Sequence, residues 1–77
     1  MLWYYEKLSE DEYKVVYAYG WNTPKATGKL MCNKKTGEYT VLHVAENDDK
    51  SGAEWALYHL YKLTKLEYPE KTIAMIG

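Results

Sequence analysis

Arginine and phenylalanine are both absent from this 77-residue chain, and cysteine occurs once, at Cys32. All ten basic residues are therefore lysines, so the chain lacks the side chain best suited to bidentate recognition of phosphate, carboxylate or guanine. Ten basic and eleven acidic residues give a net charge of −1, which argues against sequence-independent attraction to nucleic-acid backbones or anionic lipids. Nucleic acid is thus a disfavoured partner.

Signals for membrane insertion and secretion are also missing from the sequence. No apolar run approaches the length needed to cross a bilayer, and the first residues resemble neither a signal peptide nor a myristoylation site. A single cysteine excludes an internal disulfide, and an unpaired thiol is ordinary in a reducing compartment. We therefore expect a cytoplasmic protein that makes no contact with a membrane.

The chain is rich in aromatic side chains that carry a polar atom, with nine tyrosines and three tryptophans. Such side chains favour interfaces and half-buried positions, where one end is apolar and the other is hydrated. A chain of this length is expected to form one domain, residues 1–77, whose core rarely supplies more than ~3–5 kcal/mol without a disulfide or metal. The composition therefore favours a recognition surface, or association with another chain, over a deep core.

One stretch, residues 51–68, has the pattern of an amphipathic helix. Ser51 and Glu54 match a capping box, in which each side chain satisfies a backbone N–H group of the first turn. Pro69 biases the residue before it away from helical conformation and so predicts the end of the helix. The side expected to pack on a sheet consists of Ala53, Ala56, Leu57, Leu60, Leu63 and Thr64.

A second set of residues, Trp55, His59 and Leu66, lies on the opposite side of the predicted helix. One sheet cannot cover both sides. These residues are either isolated surface residues, with Trp55 lying flat or beneath a chain end, or a contact surface for another chain. We predict that truncation of Trp55 weakens association with a second chain more than it weakens the fold.

The rest of the sequence predicts five short strands. They are residues 2–8, 13–19, 29–33, 38–44 and 72–76. Residues 20–28 are predicted to form a loop that contains Trp21, and Gly37 suits the left-handed position of a hairpin turn. The element order is β-β-β-β-α-β. The expected α+β fold is a small antiparallel β-sheet with the amphipathic helix packed on one face.

Alternation along the strands gives the predicted sheet two chemically different faces. One face carries Tyr13, Tyr17, Tyr19, Tyr39 and His43, and the other carries Val16, Ala18, Leu42 and Val44. If the alanines of the helix pack on the aliphatic face, the tyrosines form an open aromatic platform. The competing assignment places the tyrosines beneath the helix as ordinary core. The sequence does not decide between the two, because cross-strand register is not visible in it.

No arrangement of reactive side chains predicts catalysis, a metal site or a bound cofactor. The histidines, Cys32, Asp48 and Asp49 lack a recognisable ligand spacing. Cys32 and His43 lie in paired strands, but no third group is apparent that would orient them as nucleophile and base. We therefore predict a non-enzymatic protein-interaction module that binds another protein or a second copy of itself. The alternative is a module that binds single-stranded nucleic acid by stacking bases on tyrosines flanked by lysines.

Overall fold

The computed structural model describes residues 1–75, which form a five-stranded antiparallel sheet and one helix. The elements are β1 (Leu2–Glu10), β2 (Lys14–Trp21), β3 (Gly28–Asn33), β4 (Tyr39–His43), α1 (Lys50–Leu63) and β5 (Lys71–Met75). The strands lie side by side in the order β4-β3-β2-β1-β5, and every neighbouring pair is antiparallel. The predicted α+β fold and its element order are confirmed. Ile76, the predicted end of the last strand, lies outside the described residues.

The β1–β2 and β3–β4 hairpins are closed by tight turns. In the first, Asp11 Oδ1 accepts hydrogen bonds from Tyr13 N at 2.7 Å and Lys14 N at 2.9 Å. Because the turn is this tight, β1 extends to Glu10, into the stretch predicted as a loop. In the second hairpin, Gly37 has a φ of 78°, the left-handed conformation predicted for it.

The helix begins earlier than the sequence predicts. Its N-cap is Asp49, whose Oδ1 accepts a hydrogen bond from Gly52 N at 2.8 Å, so Ser51 lies within the first turn. The predicted capping box is therefore wrong. Aspartate is as good an N-cap as serine, and the earlier start adds a backbone hydrogen bond from Ala53 N to Asp49 O at 2.9 Å.

The helix also ends earlier, at Leu63 rather than at residue 68. The buried Thr64 hydroxyl donates a hydrogen bond to Leu60 O at 2.8 Å and is also hydrogen-bonded to the Tyr39 hydroxyl. A threonine hydroxyl that shares a carbonyl with the helical backbone disfavours continuation of the helix. Within residues 1–75, no helix has the length and apolar character required to cross a bilayer.

The helix packs on the face of the sheet that carries the tyrosines. Tyr17 and Tyr19 are fully buried, and they form one core with Val15, Leu30 and Trp3. The predicted open aromatic platform is therefore wrong, and the competing assignment, with tyrosines as core, is correct. This buried side of the sheet is called the covered face below.

The helix side predicted to face the sheet does so. Ala53, Ala56 and Leu60 are fully buried, and Leu57 and Leu63 pack partly buried against the same core. Small alanine side chains allow the helix to approach the sheet closely, while large tyrosine rings fill the space beneath it. Large and small side chains are thus complementary across the two layers.

The buried tyrosines also satisfy their hydroxyl groups. These hydrogen bonds run from Tyr5 OH to Ala56 O (2.7 Å), from Tyr17 OH to Pro69 O (2.7 Å) and from Tyr19 OH to Asp48 Oδ2 (3.0 Å). A buried polar group left without a partner would instead cost ~1–3 kcal/mol. Burial is the main reason that the pKa values of Tyr17 and Tyr19 are raised to about 12.

The opposite side of the sheet, called the outer face below, carries no helix within residues 1–75. Tyr4 pairs there with Ile73, and Val16 pairs with Met31; all four side chains are half-buried or exposed. The loop between β2 and β3 passes close to Gly20, where a Cβ atom would lie 2.4 Å from a loop carbonyl oxygen. Apart from this loop, none of the helices and strands within the described residues covers the outer face.

Candidate binding site

Tryptophans from three elements converge at one end of the sheet, next to the start of the helix. Trp3 of β1 pairs with Trp21 of β2, and Trp55 lies early in α1. Together they line a cleft of about 630 Å³, called the tryptophan cleft below. Its other lining residues are Met1, Asn47, Asp48, Asp49, Ser51 and Gly52.

A stack of aromatic rings holds Trp55 in place at the side of the tryptophan cleft. The His59 ring stacks on Trp3, with centroids 5.0 Å apart and an interplanar angle of 29°, and on Trp55, at 6.1 Å and 23°. Tyr58 contacts Trp55 edge-on, with centroids 6.0 Å apart. Trp3 is 3% exposed and Trp55 is 54% exposed, so the stack runs from the core to the surface. Trp55 is thus held by neighbouring rings while about half of it remains accessible.

Hydrogen bonds fix the acidic side of the cleft. Asp48 accepts hydrogen bonds with both carboxylate oxygens, from Asp49 N at 2.8 Å and from Tyr19 OH at 3.0 Å. Asp49 is committed as the N-cap of the helix through its bond from Gly52 N. The positive end of the helix dipole favours negative charge at this position. The cleft therefore combines tryptophan rings with firmly held carboxylates.

His59 lies between two indole rings, in surroundings that disfavour its protonation. Burial, followed by the charge of Lys62, lowers the pKa of His59 below its usual value. Its Nε2 atom is buried and has no hydrogen-bond partner among residues 1–75, and the same is true of Trp3 Nε1. The His59 ring is therefore packed in the stack with its Nε2 atom shielded from solvent.

The structure brings together only two of the three residues predicted to lie on the opposite side of the helix. Trp55 and His59 are in contact, but Leu66 lies beyond the end of the helix and is 99% exposed. The expectation that Leu66 shares their helix face is wrong, because the helix ends before it. Contact of Trp55 with a second chain stays a prediction.

The sheet residues predicted to share an aromatic platform are scattered. Tyr17 and Tyr19 lie in the core, while Tyr13 is 57% exposed in the turn between β1 and β2. Tyr39 is half-buried and hydrogen-bonded to the end of the helix. His43 is exposed on the outer face, because a bulge in β4 shifts its register by one residue.

Sequence reasoning missed Trp3 as a site residue and placed Trp21 in a loop. In the structure β2 extends to Trp21, so that this side chain lies opposite Trp3 in the hairpin. The signal was present, because Tyr17, Tyr19 and Trp21 continue one alternation of large aromatic residues. The glycine at position 20 concealed it by suggesting a loop.

The remaining reactive side chains of residues 1–75 do not form a second site. No three histidine, cysteine, aspartate or glutamate side chains among them converge as a metal site requires. Cys32 is buried, with its Sγ 3.7 Å from Tyr68 OH, and it pairs with Tyr39 on the covered face. His43 lies on the outer face, so these two residues do not form a nucleophile and base.

Comparison with known proteins finds no match to this chain among protein-family models, curated proteins or solved structures. Function is therefore inferred from the geometry of the site.

Proposed function

We propose that this domain is a non-enzymatic protein-interaction module of the cytoplasm, whose partner binds in the tryptophan cleft. The observation that carries the proposal is Trp55, a large aromatic side chain that is 54% exposed and yet held in place by the His59 stack. Tryptophan is among the residues that contribute most to binding energy at protein interfaces. An exposed tryptophan already fixed in position loses little conformational entropy when a partner binds.

The shape of the site also favours recognition. A cleft of about 630 Å³ lies within the usual range for ligand sites of ~300–1,000 Å³. Such a volume accommodates a few side chains of an inserted peptide segment. The partner is therefore best described as a protein segment that places one or two side chains between Trp21 and Trp55.

The polar groups of the cleft are better suited to binding than to catalysis. Asp48 and Asp49 are committed to hydrogen bonds that hold the start of the helix. His59 lies behind Trp55 with its Nε2 atom buried. These structural contacts support a binding role for the three residues over a role in proton transfer.

The nucleic-acid alternative loses two of the tyrosines on which it depended. Tyr17 and Tyr19 are fully buried, so bases cannot stack on them. Tyr13 stays exposed, with Lys35 Nζ 5.5 Å from its ring centre, but it lies in the turn between β1 and β2 and offers a single ring rather than a platform.

Selection from a displayed random peptide library tests the proposal. Wild-type protein should enrich a peptide family, and Trp55→Ala should lose that family while keeping the circular dichroism spectrum of the wild type. Tyr13→Ala is the matched control, because Tyr13 is equally exposed but lies at the opposite end of the β1–β2 hairpin. Enrichment that survives Trp55→Ala would show that the cleft is not the binding site.

Sedimentation across a wide concentration range tests the special case in which the partner is a second copy of the chain. Association of the wild type that Trp55→Ala weakens and Tyr13→Ala leaves unchanged would identify that copy as the partner. A monomer at every concentration assigns the cleft to a different protein.

A further inference from the structure

We propose that the tryptophan cleft recognises a methylated ammonium group, carried by a lysine side chain of the partner. This inference rests on the proposed function and adds the chemistry of the group that is bound. It follows from the charges of the cleft, from the hydrogen bonds that its carboxylates already make, and from the placement of its rings.

The charged side chains that line the cleft have one sign. They are those of Asp48 and Asp49, and no lysine side chain is among the lining residues. Met1 adds one positively charged α-amino group, so two negative charges face one positive charge; the other lining side chains are uncharged, and the largest of them are the indole rings. A positively charged ligand group is therefore complementary to this surface.

Hydrogen bonds from the protein hold both carboxylates in place. Asp48 accepts from Asp49 N and Tyr19 OH, and Asp49 accepts from Gly52 N. The carboxylates keep their negative charge and further lone pairs, so they attract an ammonium group whether or not it is methylated. The preference for methylation comes from the indole rings. A trimethylated ammonium keeps the positive charge, has no N–H donor to desolvate and presents methyl groups to those rings.

The rings supply the second part of the recognition. Half-buried Trp21 and exposed Trp55 offer accessible ring surface in the cleft, whereas Trp3 is buried and supports Trp55 through the His59 ring. Tryptophan gives the strongest cation–π attraction of the aromatic side chains, and rings gathered around a methylated ammonium group are a known means of binding it. The contact of His59 with both Trp3 and Trp55 fixes two of the rings before the ligand arrives.

Nuclear magnetic resonance titration of the 77-residue protein gives a direct test, because each tryptophan contributes one indole N–H signal. The free probes are tetramethylammonium, ammonium at the same ionic strength, and tert-butanol as a neutral group of similar shape. Tetramethylammonium should give saturable shifts of the Trp21 and Trp55 indole signals. Ammonium and tert-butanol should give shifts that are weaker and do not saturate.

Peptides that differ only in the methylation of one lysine test the proposed source of the group. The sequence is taken from the library selection, or is a fixed polar peptide if that selection fails. The trimethylated form should bind about tenfold more tightly than the unmethylated form, as expected for a partly desolvated cation–π contact. Trp55→Ala should lose about tenfold in affinity. Tyr13→Ala should retain wild-type affinity.

Asp48→Asn removes the negative charge and keeps one of the two acceptors: the amide oxygen can still accept from Asp49 N, and the amide NH2 group can donate to the Tyr19 hydroxyl instead of accepting from it. This variant should weaken binding of the trimethylated peptide and of tetramethylammonium together. The titration of wild-type indole signals needs no variant, so it tests the inference even if a variant fails to fold.

The outcomes distinguish this inference from the proposed function. Selected peptides that need Trp55 but bind equally well with and without methylation would overturn the inference and leave the interaction module intact. Binding of tetramethylammonium without binding of any peptide would show a site for a small free cation, and the assignment to a partner protein would be wrong. Equal affinity for tert-butanol and tetramethylammonium would show an apolar cleft with no preference for charge.

Discussion

The covered face of the sheet buries polar hydroxyl groups, whereas the outer face leaves aliphatic side chains exposed. The covered face contains hydroxyl-bearing Tyr17 and Tyr19, which are fully buried, whereas the outer face presents aliphatic residues such as Ile73, which is 51% exposed. The difference follows from volume and hydrogen bonding together. Large rings fill the space beneath the alanines of the helix, and each buried hydroxyl reaches an acceptor in the helix or beside it. Burial of a face therefore depends on complementarity with its neighbour as well as on apolar character.

Truncation of one leucine on each face gives the largest predicted contrast. Leu30→Ala, in the core, should lower the free energy of unfolding by ~2–5 kcal/mol, through lost burial and the cavity left behind. Leu42→Ala, at a position that is 49% exposed in β4, should cost less than ~1 kcal/mol. Urea unfolding monitored by circular dichroism measures both values.

Equal losses for the two leucines would contradict the contrast between a packed core and an open surface. They would indicate that a second chain covers Leu42 in solution. The loss at Leu42 would then depend on protein concentration, which repeats of the same measurement at different concentrations would reveal.

Alkaline titration gives the second contrast, because buried tyrosines resist ionisation. The pKa values of Tyr17 and Tyr19 are raised from 10.0 to about 12 in the folded protein, mainly by burial. Between these two values the unfolded chain binds fewer protons than the folded one, so stability is fully present below pH 10 and declines as the pH approaches 12. Denaturant unfolding at several pH values should show this decline.

Tyr17→Phe supplies the control for the alkaline decline. It removes one titrating hydroxyl and should make stability fall less steeply with pH across the same range. A steepness identical to that of the wild type would show that Tyr17 ionises equally easily in the folded and unfolded states.

Most of the fold follows from the sequence because its signals are local. Alternation defines the strands, Gly37 defines a turn, and the spacing of Ala53, Ala56 and Leu60 defines the buried side of the helix. The face of the sheet on which the helix packs is not a local property. It depends on whether each tyrosine hydroxyl finds an acceptor across the layers, and those acceptors, such as Pro69 O, lie far away in the sequence.

The candidate site was only partly predictable for a related reason. Trp55 and His59 stand one helical turn apart, so their contact is visible in the sequence. Trp3 joins them only when the register of the first hairpin is known, since it must pair with Trp21. The helix ends before Leu66, at Leu63, where the Thr64 hydroxyl bonds to Leu60 O, and the sequence does not reveal that bond.

The start of the helix provides a third and smaller test, because the cap positions the helix over the covered face. Asp49→Ala removes the acceptor for Gly52 N and should cost about 1 kcal/mol. Ser51→Ala, inside the first turn, should change stability by less than about 0.5 kcal/mol. Thermal melts measure both, and a larger effect at Ser51 than at Asp49 would restore the capping box.

The same substitution at two adjacent residues gives the most specific test of the two faces. Tyr5 points to the covered face and donates to Ala56 O at 2.7 Å, whereas Tyr4 is half-buried on the outer face. Tyr5→Phe should cost about 1 kcal/mol, because one buried hydrogen bond between the sheet and the helix is lost. In a domain of this size that cost corresponds to a fall of about 4–8 °C in melting temperature. Tyr4→Phe should leave the melting temperature unchanged, since it removes no buried hydrogen bond. Equal melting temperatures for the two variants would mean that the Tyr5 hydroxyl adds nothing to stability, and that ring volume alone determines which face the helix covers.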